Sequence, residues 1–458
     1  MSEKGYICNK NIRSFTNSIF QKMKVLKFGG TSVGSAQRMK DVAKLMCDGN
    51  QNMVVLSAMS GTTNTLVEIA DYFYKKNPVG ALEVVNSLEK KYFQTIGELY
   101  SKPEIWQEAE TELKKHFNYI RTFSKSIFTI FEEKIILAQG EMLSTMMMHL
   151  YLKELGVKSV LLNALEFVKT DKNGEPDNAF IRENIHKQLE LHPDAEIYIT
   201  QGYICRNFYG EIDNLQRGGS DYTASLLGAA LDADEVQIWT DIDGMHNNDP
   251  RFVPNTRPVR NLHFEEAAEL AYFGAKILHP TCVLPAKLSN IPVRLLNTMD
   301  PSALGTLISN ETEHGKVKAV AAKDGITAIR IKSGRMLLAY GFLRKVFEIF
   351  ESYQTSIDMV TTSEVGVSVT IDKEKHLEEI VNDLKKLGTV TVDHDMVIIC
   401  VVGDLYYEYT GLQALVVNAL KEVPIRMVSY GGSNYNISFL IHKEDKQKAL
   451  QALQTIFI

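Results

Sequence analysis

A chain of 458 residues, 45% apolar and 23% charged, has the composition of an ordinary globular protein. That excludes an intrinsically disordered chain, and at roughly 150 residues per domain it predicts about three domains. The net charge of −6 excludes a broad basic face for nucleic acid. Five cysteines, widely spread and without a CxxC pair, give neither a zinc ribbon nor a disulfide framework, and they fit a reducing cytoplasm. No apolar run reaches the roughly 18 residues of a membrane span, and residues 1–23 lack the apolar core of a secretory signal. Residues 1–23 are expected to be an extension outside the fold.

The ordered chain is expected to begin at Lys24, with a short strand over Val25 to Phe28. Gly29-Gly30-Thr31-Ser32-Val33-Gly34 follows, then a helix with Met39, Val42, Ala43 and Met46 at helical spacing. Met53 to Leu56 reads as a second strand, ending in Ser57-Ala58-Met59-Ser60-Gly61-Thr62-Thr63-Asn64. Strand, glycine-hydroxyl loop and helix in alternation predict an α/β sheet covered on both faces. Residues 65 to about 155 read as charged helices punctuated by Pro78 and Pro103, and Met146-Met147-Met148 reads as core filling. Residues 157–162, 196–200, 236–240 and 292–296 are further strands.

Near residue 300 the pattern changes. Asp300-Pro301-Ser302 and Gly305-Thr306 mark a turn region. Strands are then expected at 326–331, 366–371, 396–402 and 435–441, with helices at 341–353, 374–387, 411–423 and 444–457. The repeat has a period of roughly 65–70 residues and predicts two small βαββαβ units.

Four clusters carry the chemistry. Lys27 stands before a glycine-hydroxyl turn that fits neither a Walker nor a dinucleotide fingerprint, yet offers backbone N–H groups to phosphate. Arg217-Gly218-Gly219-Ser220-Asp221 joins a planar cation fork to a helix start. Thr240-Asp241 and Asp249-Pro250-Arg251 lie in a polar loop after a strand, and Gly274-Ala275-Lys276 places a lysine near a helix end. Each alone is weak; a plain turn, a helix cap, a connecting loop and a surface lysine explain them one by one.

Together with Gly140-Glu141, these segments resemble the aspartokinases of the amino acid kinase family over about residues 24 to 458. The resemblance implies an amino acid kinase fold, an open mainly parallel sheet sandwiched by helices, over 24–300. It also implies two α+β ferredoxin-like ACT domains over 301–458, with one (about 325–394) inserted in the other (about 308–324 plus 395–458).

The implied reaction transfers phosphate from ATP to the side-chain carboxylate of L-aspartate, with Mg²⁺ bridging the nucleotide phosphates and no dedicated protein metal site. By resemblance, Lys27 contacts the transferring phosphoryl and Asp221 orients Lys27. Ser57, Thr63, Glu141, Tyr203, Arg217, Gly218, Gly219 and Ser220 bind aspartate, with Arg217 for a carboxylate and Glu141 for the ammonium. Lys27, Gly29, Gly30, Thr240, Asp241, Arg251 and Lys276 bind ATP.

An amino-acid effector, L-lysine in the type it resembles, is implied at Met336, Gly341, Phe342, Leu343, Ser356, Ile357, Asp358, Thr362 and Glu364. A homodimer or dimer of dimers through the ACT domains, in the cytoplasm, is implied as well, with neither nucleic acid nor membrane as partner. His246, Gln216, Ala339 and Tyr340 depart from the family pattern. Two other readings remain at this stage: another amino acid kinase acting on glutamate, carbamate or a nucleotide, and a catalytically inactive amino-acid sensor.

Overall fold

The computed structural model describes residues 23–457, apart from 126, 216–217, 275–277, 335–339 and 407. Its first half alternates strands and helices. β1 (Lys24–Phe28), α1 (Ala36–Met46) and β2 (Asn52–Leu56) lead into the long helices α2 (Thr62–Tyr74), α3 (Pro78–Leu99), α4 (Pro103–Thr122) and α5 (Ile130–Leu155). After β3 (Ser159–Leu162), α6 (Asn178–Glu190) and β4 (Ile197–Gln201) comes a short hairpin, β5 (Ile204–Arg206) and β6 (Ile212–Asn214). The half closes with α7 (Gly219–Leu231), β7 (Glu235–Thr240), β8 (Asn261–His263), α8 (Phe264–Tyr272), α9 (Leu284–Leu288), β9 (Val293–Asn297) and β10 (Thr306–Ser309).

These strands form an eight-stranded sheet in the order β3-β4-β2-β1-β7-β9-β10-β8, with β10 antiparallel to β9 and the other pairs parallel. Alternation decides which face each residue joins. Leu26 and Phe28 pack with α1 to α5, whereas Val25 packs with α6 and α7. Lys27 shares the Val25 face and therefore points toward α7. The methionine triplet is buried among the first set of helices, as expected of core filling.

Strand order reverses at β1, which has β2 on one side and β7 on the other. In open α/β sheets a crevice forms at the carboxyl ends of the strands at such a point.

The second half forms a six-stranded sheet, β12-β13-β11-β14-β16-β15, around two long strands. β11 (Val317–Lys332) is followed by α10 (Phe342–Ser352), β12 (Val360–Ser363), β13 (Gly366–Ile371), α11 (Leu377–Leu384) and β14 (Thr389–Gly403). The chain then forms α12 (Leu412–Ala419), β15 (Met427–Tyr430), β16 (Asn436–His442) and α13 (Lys446–Gln454). β11 and β14 pair along their length, with register shifts near residues 323–328. One βαββαβ unit lies beyond that shift, and the other is built on residues 317–323 with 396–442. Helices α10 and α11 cover the first unit, and α12 and α13 the second.

Two expected boundaries move. β10 belongs to the first sheet, so that sheet runs past residue 300 to Ser309. Met23, assigned to the extension, is buried, and its carbonyl accepts the Asp234 N–H at 3.0 Å. The remainder of the extension lies outside the described residues. No helix among the described residues is long and apolar enough to cross a membrane.

Candidate active site

An open cleft of about 1410 Å³ lies at the carboxyl end of the first sheet. Its walls are the loops after β1 and β2, the first half of α5, the segment 170–176, the β6 end and the start of α7. Lys27, Gly30, Ser57, Thr63, Glu141, Tyr203, Gly218, Gly219, Ser220 and Asp221 all line it. The structure thus brings together most of the residues expected to bind the phosphoryl group and the acceptor.

The Lys27 ammonium stands 2.7 Å from Asp221 Oδ1, in a pair whose side chains are 11% and 13% exposed. Asp221 sits in the first turn of α7, where a carboxylate also complements the helix dipole. The two phosphate-loop candidates are tied to each other: Phe28 and Gly30 carbonyls accept N–H bonds from Ser57 and Ser60, each at 3.1 Å. Gly29 donates its N–H to the Trp239 carbonyl at 3.4 Å.

Glu141 lies inside the wall of α5 and is buried. Its Oε1 accepts the Ala58 N–H at 3.2 Å, and its Oε2 has no hydrogen-bond partner among the described residues. Burial pushes its pKa up to about 7, opposed by the Ala58 N–H. A buried, unpartnered carboxylate oxygen is costly, and a cationic ligand group relieves that cost.

Tyr203 has left-handed backbone geometry, with φ of 70°. It is held there by two bonds: its N–H donates to Thr223 Oγ1 at 3.0 Å, and its carbonyl accepts the Leu215 N–H at 2.7 Å. Two glycines make this possible by close approach. A Cβ on Gly219 would stand 2.5 Å from the Tyr203 ring, and one on Gly202 would stand 2.5 Å from the Ser220 side chain. The Gln201–Tyr203 turn therefore interlocks with the start of α7.

The expected nucleotide residues are placed differently. Arg217 and Lys276, like Gln216, lie outside the described residues. Thr240 ends β7, with its Oγ1 accepting the Ile242 N–H at 3.1 Å and its carbonyl accepting the Thr298 N–H at 2.7 Å. Asp241 is exposed beside it, and neither residue lines the cleft. Arg251 is exposed, stands 2.6 Å from Asp249, and lies over Phe252 at 5.9 Å. Its loop packs on the second sheet's helices, since Asn248 Nδ2 donates to the Leu450 carbonyl at 2.9 Å. His246 Nδ1 stands 2.9 Å from Thr256 Oγ1, and burial lowers its pKa.

In the second half, Met336 and Ala339 lie outside the described residues. Gly341 caps α10, Phe342 is buried, and Leu343, Ser356, Thr362, Glu364 and Tyr340 are exposed. Ile357 is half-buried. Asp358 has a side chain that is 1% exposed; Lys323 Nζ lies 2.8 Å from its Oδ1, while its Oδ2 has no hydrogen-bond partner among the described residues.

Lys134, Asp213 and Asn214 also line the cleft and were missed by the sequence reading. A signal existed in α5, where Lys134, Leu137 and Glu141 are spaced i, i+3, i+7 on one face. No cluster of three His, Cys, Asp or Glu side chains able to hold a metal ion occurs among the described residues.

The amino acid kinase family description matches residues 22–297, and an ACT domain description matches residues 399–457. Aspartokinase 1, chloroplastic, of Arabidopsis thaliana is 35% identical over 456 residues, covering 94% of this chain and 80% of the relative. Lysine-sensitive aspartokinase 3 of Escherichia coli (strain K12) is 34% identical over 444 residues, covering 94% and 98%. The crystal structure of E. coli aspartokinase III with aspartate and ADP superposes with a TM-score of 0.80 at 33% identity, covering 95% of this chain and 99% of that one.

Proposed function

The chain belongs to the amino acid kinase family and within it to the aspartokinases, and we propose that its cleft transfers the γ-phosphoryl group of ATP to the side-chain carboxylate of L-aspartate. The observation that carries this reading is the pairing, in one cleft, of an unpartnered buried Glu141 oxygen with the Lys27–Asp221 pair. The first suits an amino-acid ammonium; the second places a cation where a phosphoryl group must cross.

The acceptor carboxylate has an ordinary pKa near 4, so it is ionised at neutral pH and needs no general base. The barrier is then the approach of two anions. Lys27 offsets that repulsion, and Asp221 fixes the ammonium's position. The start of α7 adds the N–H groups of Gly219 and Ser220 and a favourable dipole. Glu141 takes the substrate ammonium; Arg217, Ser57, Thr63 and Ser220 serve its carboxylates; Tyr203 shapes the wall. Gly29, Gly30, Thr240, Asp241, Arg251 and Lys276 carry the nucleotide, which brings its own Mg²⁺ on the phosphates.

The ACT units take an amino-acid effector, L-lysine by analogy with the lysine-sensitive relative, and pair chains into a homodimer or a dimer of dimers in the cytoplasm. The test is ADP release measured over a panel of aspartate, glutamate and carbamate. Aspartate is expected to be preferred, and equal turnover across the panel overturns the assignment.

A further inference from the structure

Helical geometry places Lys134, Leu137 and Glu141 on one face of α5, two turns from first to last. All three line the cleft. Lys134 Nζ lies 2.6 Å from Asp213 Oδ1, which pins the end of β6 to α5. Asp213 Oδ1 also accepts the Asn214 N–H at 2.6 Å, so the Asn214 backbone is fixed as well. Its side chain is left over: Asn214 Nδ2 is buried at the cleft wall and has no hydrogen-bond partner among the described residues. Among the described cleft residues, and with Asp221 Oδ1 taken by the Lys27 ammonium, Glu141 Oε2 is an orphaned acceptor and Asn214 Nδ2 an orphaned donor. A buried polar atom left unpaired carries a desolvation cost, and at a cleft wall a ligand that pairs it relieves that cost.

Resting on the aspartokinase reading, we propose that Asn214 donates a hydrogen bond to the α-carboxylate of the amino-acid substrate, and that the Lys134–Asp213 pair positions it. The substrate's own chemistry selects that carboxylate. The reacting carboxylate must face Lys27, while the α-carboxylate shares a carbon with the ammonium that Glu141 takes. β6 packs on α5, the helix that carries Glu141, and Asn214 pairs with Ile204 next to Tyr203, so Asn214, Tyr203 and Glu141 line one cleft. Asn214 thus tells a 2-amino dicarboxylate from an amino acid with only the reacting carboxylate.

The experiment compares L-aspartate with 3-aminopropanoate, which keeps the ammonium and the reacting carboxylate but lacks the α-carboxylate. Wild type, Asn214→Ala and Asn214→Asp are assayed for KM and kcat with L-aspartate, for KM with ATP, and for inhibition by 3-aminopropanoate. Asn214→Ala is expected to raise the KM for L-aspartate about tenfold, as for loss of a hydrogen bond to a charged group. The KM for ATP and the inhibition constant of 3-aminopropanoate stay unchanged. Asn214→Asp keeps the shape but repels the carboxylate, so its loss is larger, and it decides the matter if the alanine variant does not fold.

An unchanged KM for L-aspartate, or equal weakening of both compounds, overturns the role of Asn214. Absence of aspartate turnover in the wild type overturns the broader reading instead, and the two failures are distinct.

Discussion

The Tyr272 hydroxyl donates to Asp358 Oδ1 at 2.5 Å, joining the last residue of α8 to the segment that leads into β12. Lys323 shares that carboxylate, reaches Asp372 at 3.0 Å, and sits 4.4 Å from the centre of the Tyr272 ring. Two residues after Tyr272, Gly274 lies so close to β11 that a Cβ would stand 2.4 Å from the Ala322 carbonyl oxygen. The chain leading to Lys276 is therefore clamped to the regulatory sheet on both sides of Phe273. An effector ammonium that takes Asp358 Oδ1 has to compete with Tyr272, whereas Oδ2 has no partner among the described residues. Such competition makes the effector's affinity depend on the clamp, which is the reciprocity allosteric coupling requires.

Tyr272→Phe tests that competition. The variant keeps the ring under Lys323 and removes only the hydroxyl. A hydrogen bond of about 1 kcal/mol lost from the effector-free state lowers the half-inhibiting lysine concentration about fivefold. A lysine titration of aspartate-dependent ADP release reads the shift. An unchanged midpoint shows that Asp358 and the effector do not compete.

Glu141 gives a prediction in pH. Burial raises its pKa from the ordinary 4.5 to about 7, a difference corresponding to ~3 kcal/mol against the ionised form. Between those two values the folded chain holds a proton that the unfolded chain has lost, so the ligand-free protein loses stability as pH rises from about 4.5 to about 7. Above about 7 the penalty is complete. Glu141→Gln removes it, and its melting temperature is expected to exceed that of wild type at pH 8 but not at pH 4.5. Turnover with aspartate falls at least tenfold in the same variant, since the ammonium loses its partner. Equal melting temperatures at pH 8 overturn the pH argument, whatever happens to turnover.

Lys27 and Asp221 separate chemistry from stability. Lys27→Ala is expected to lower kcat at least tenfold, because the phosphoryl charge loses its cation. It also leaves the Asp221 carboxylate, 13% exposed, without its partner, at a cost on the order of 3 kcal/mol. The double variant Lys27→Met with Asp221→Asn recovers stability because both charges go together, but it does not recover turnover. Denaturant midpoints and kcat measured on the same three proteins check this. A double variant as unstable as Lys27→Ala refutes the paired account.

The fold was legible where period and punctuation were strong. Leu26 and Phe28 on one face and Val25 on the other follow from alternation alone. The hairpin over 204–214 was not legible, because three-residue strands carry no readable period. β10 was missed for a related reason: a four-residue strand follows a turn signal at Pro301 and Gly305, and the turn reads as a boundary.

In the site, Lys27 and Asp221 are 194 positions apart in sequence but are brought together by β1 and α7, and only the motif pattern joined them in advance. The burial of Glu141 depends on how α5 packs against the loop after β2, which one dimension does not contain. Asp358 was legible only in residue type, which suits an ammonium; that Lys323 and Tyr272 share its Oδ1 while Oδ2 has no partner among the described residues is a product of tertiary structure.

The interlock of Gly202 with Ser220 yields the last prediction. A Cβ on Gly202 would stand 2.5 Å from Ser220 Cβ and Oγ and 2.8 Å from its Cα. Backbone as well as side chain is in the way, so the start of α7 has to move. Overpacking of this kind costs about 1–3 kcal/mol, and the displacement carries Ser220 and Asp221 with it. Because a misplacement of about 1 Å in a reacting array lowers rate on the order of a hundredfold, Gly202→Ala is expected to lose far more turnover than stability. Gly97→Ala in α3 is the matched control: a Cβ there meets nothing within 4 Å, and the change is expected to stabilise the helix by about 1 kcal/mol with turnover intact. Parallel measurement of kcat and unfolding free energy for both variants distinguishes the cases, and a Gly202→Ala enzyme with wild-type kcat shows that α7 does not hold the cleft in register.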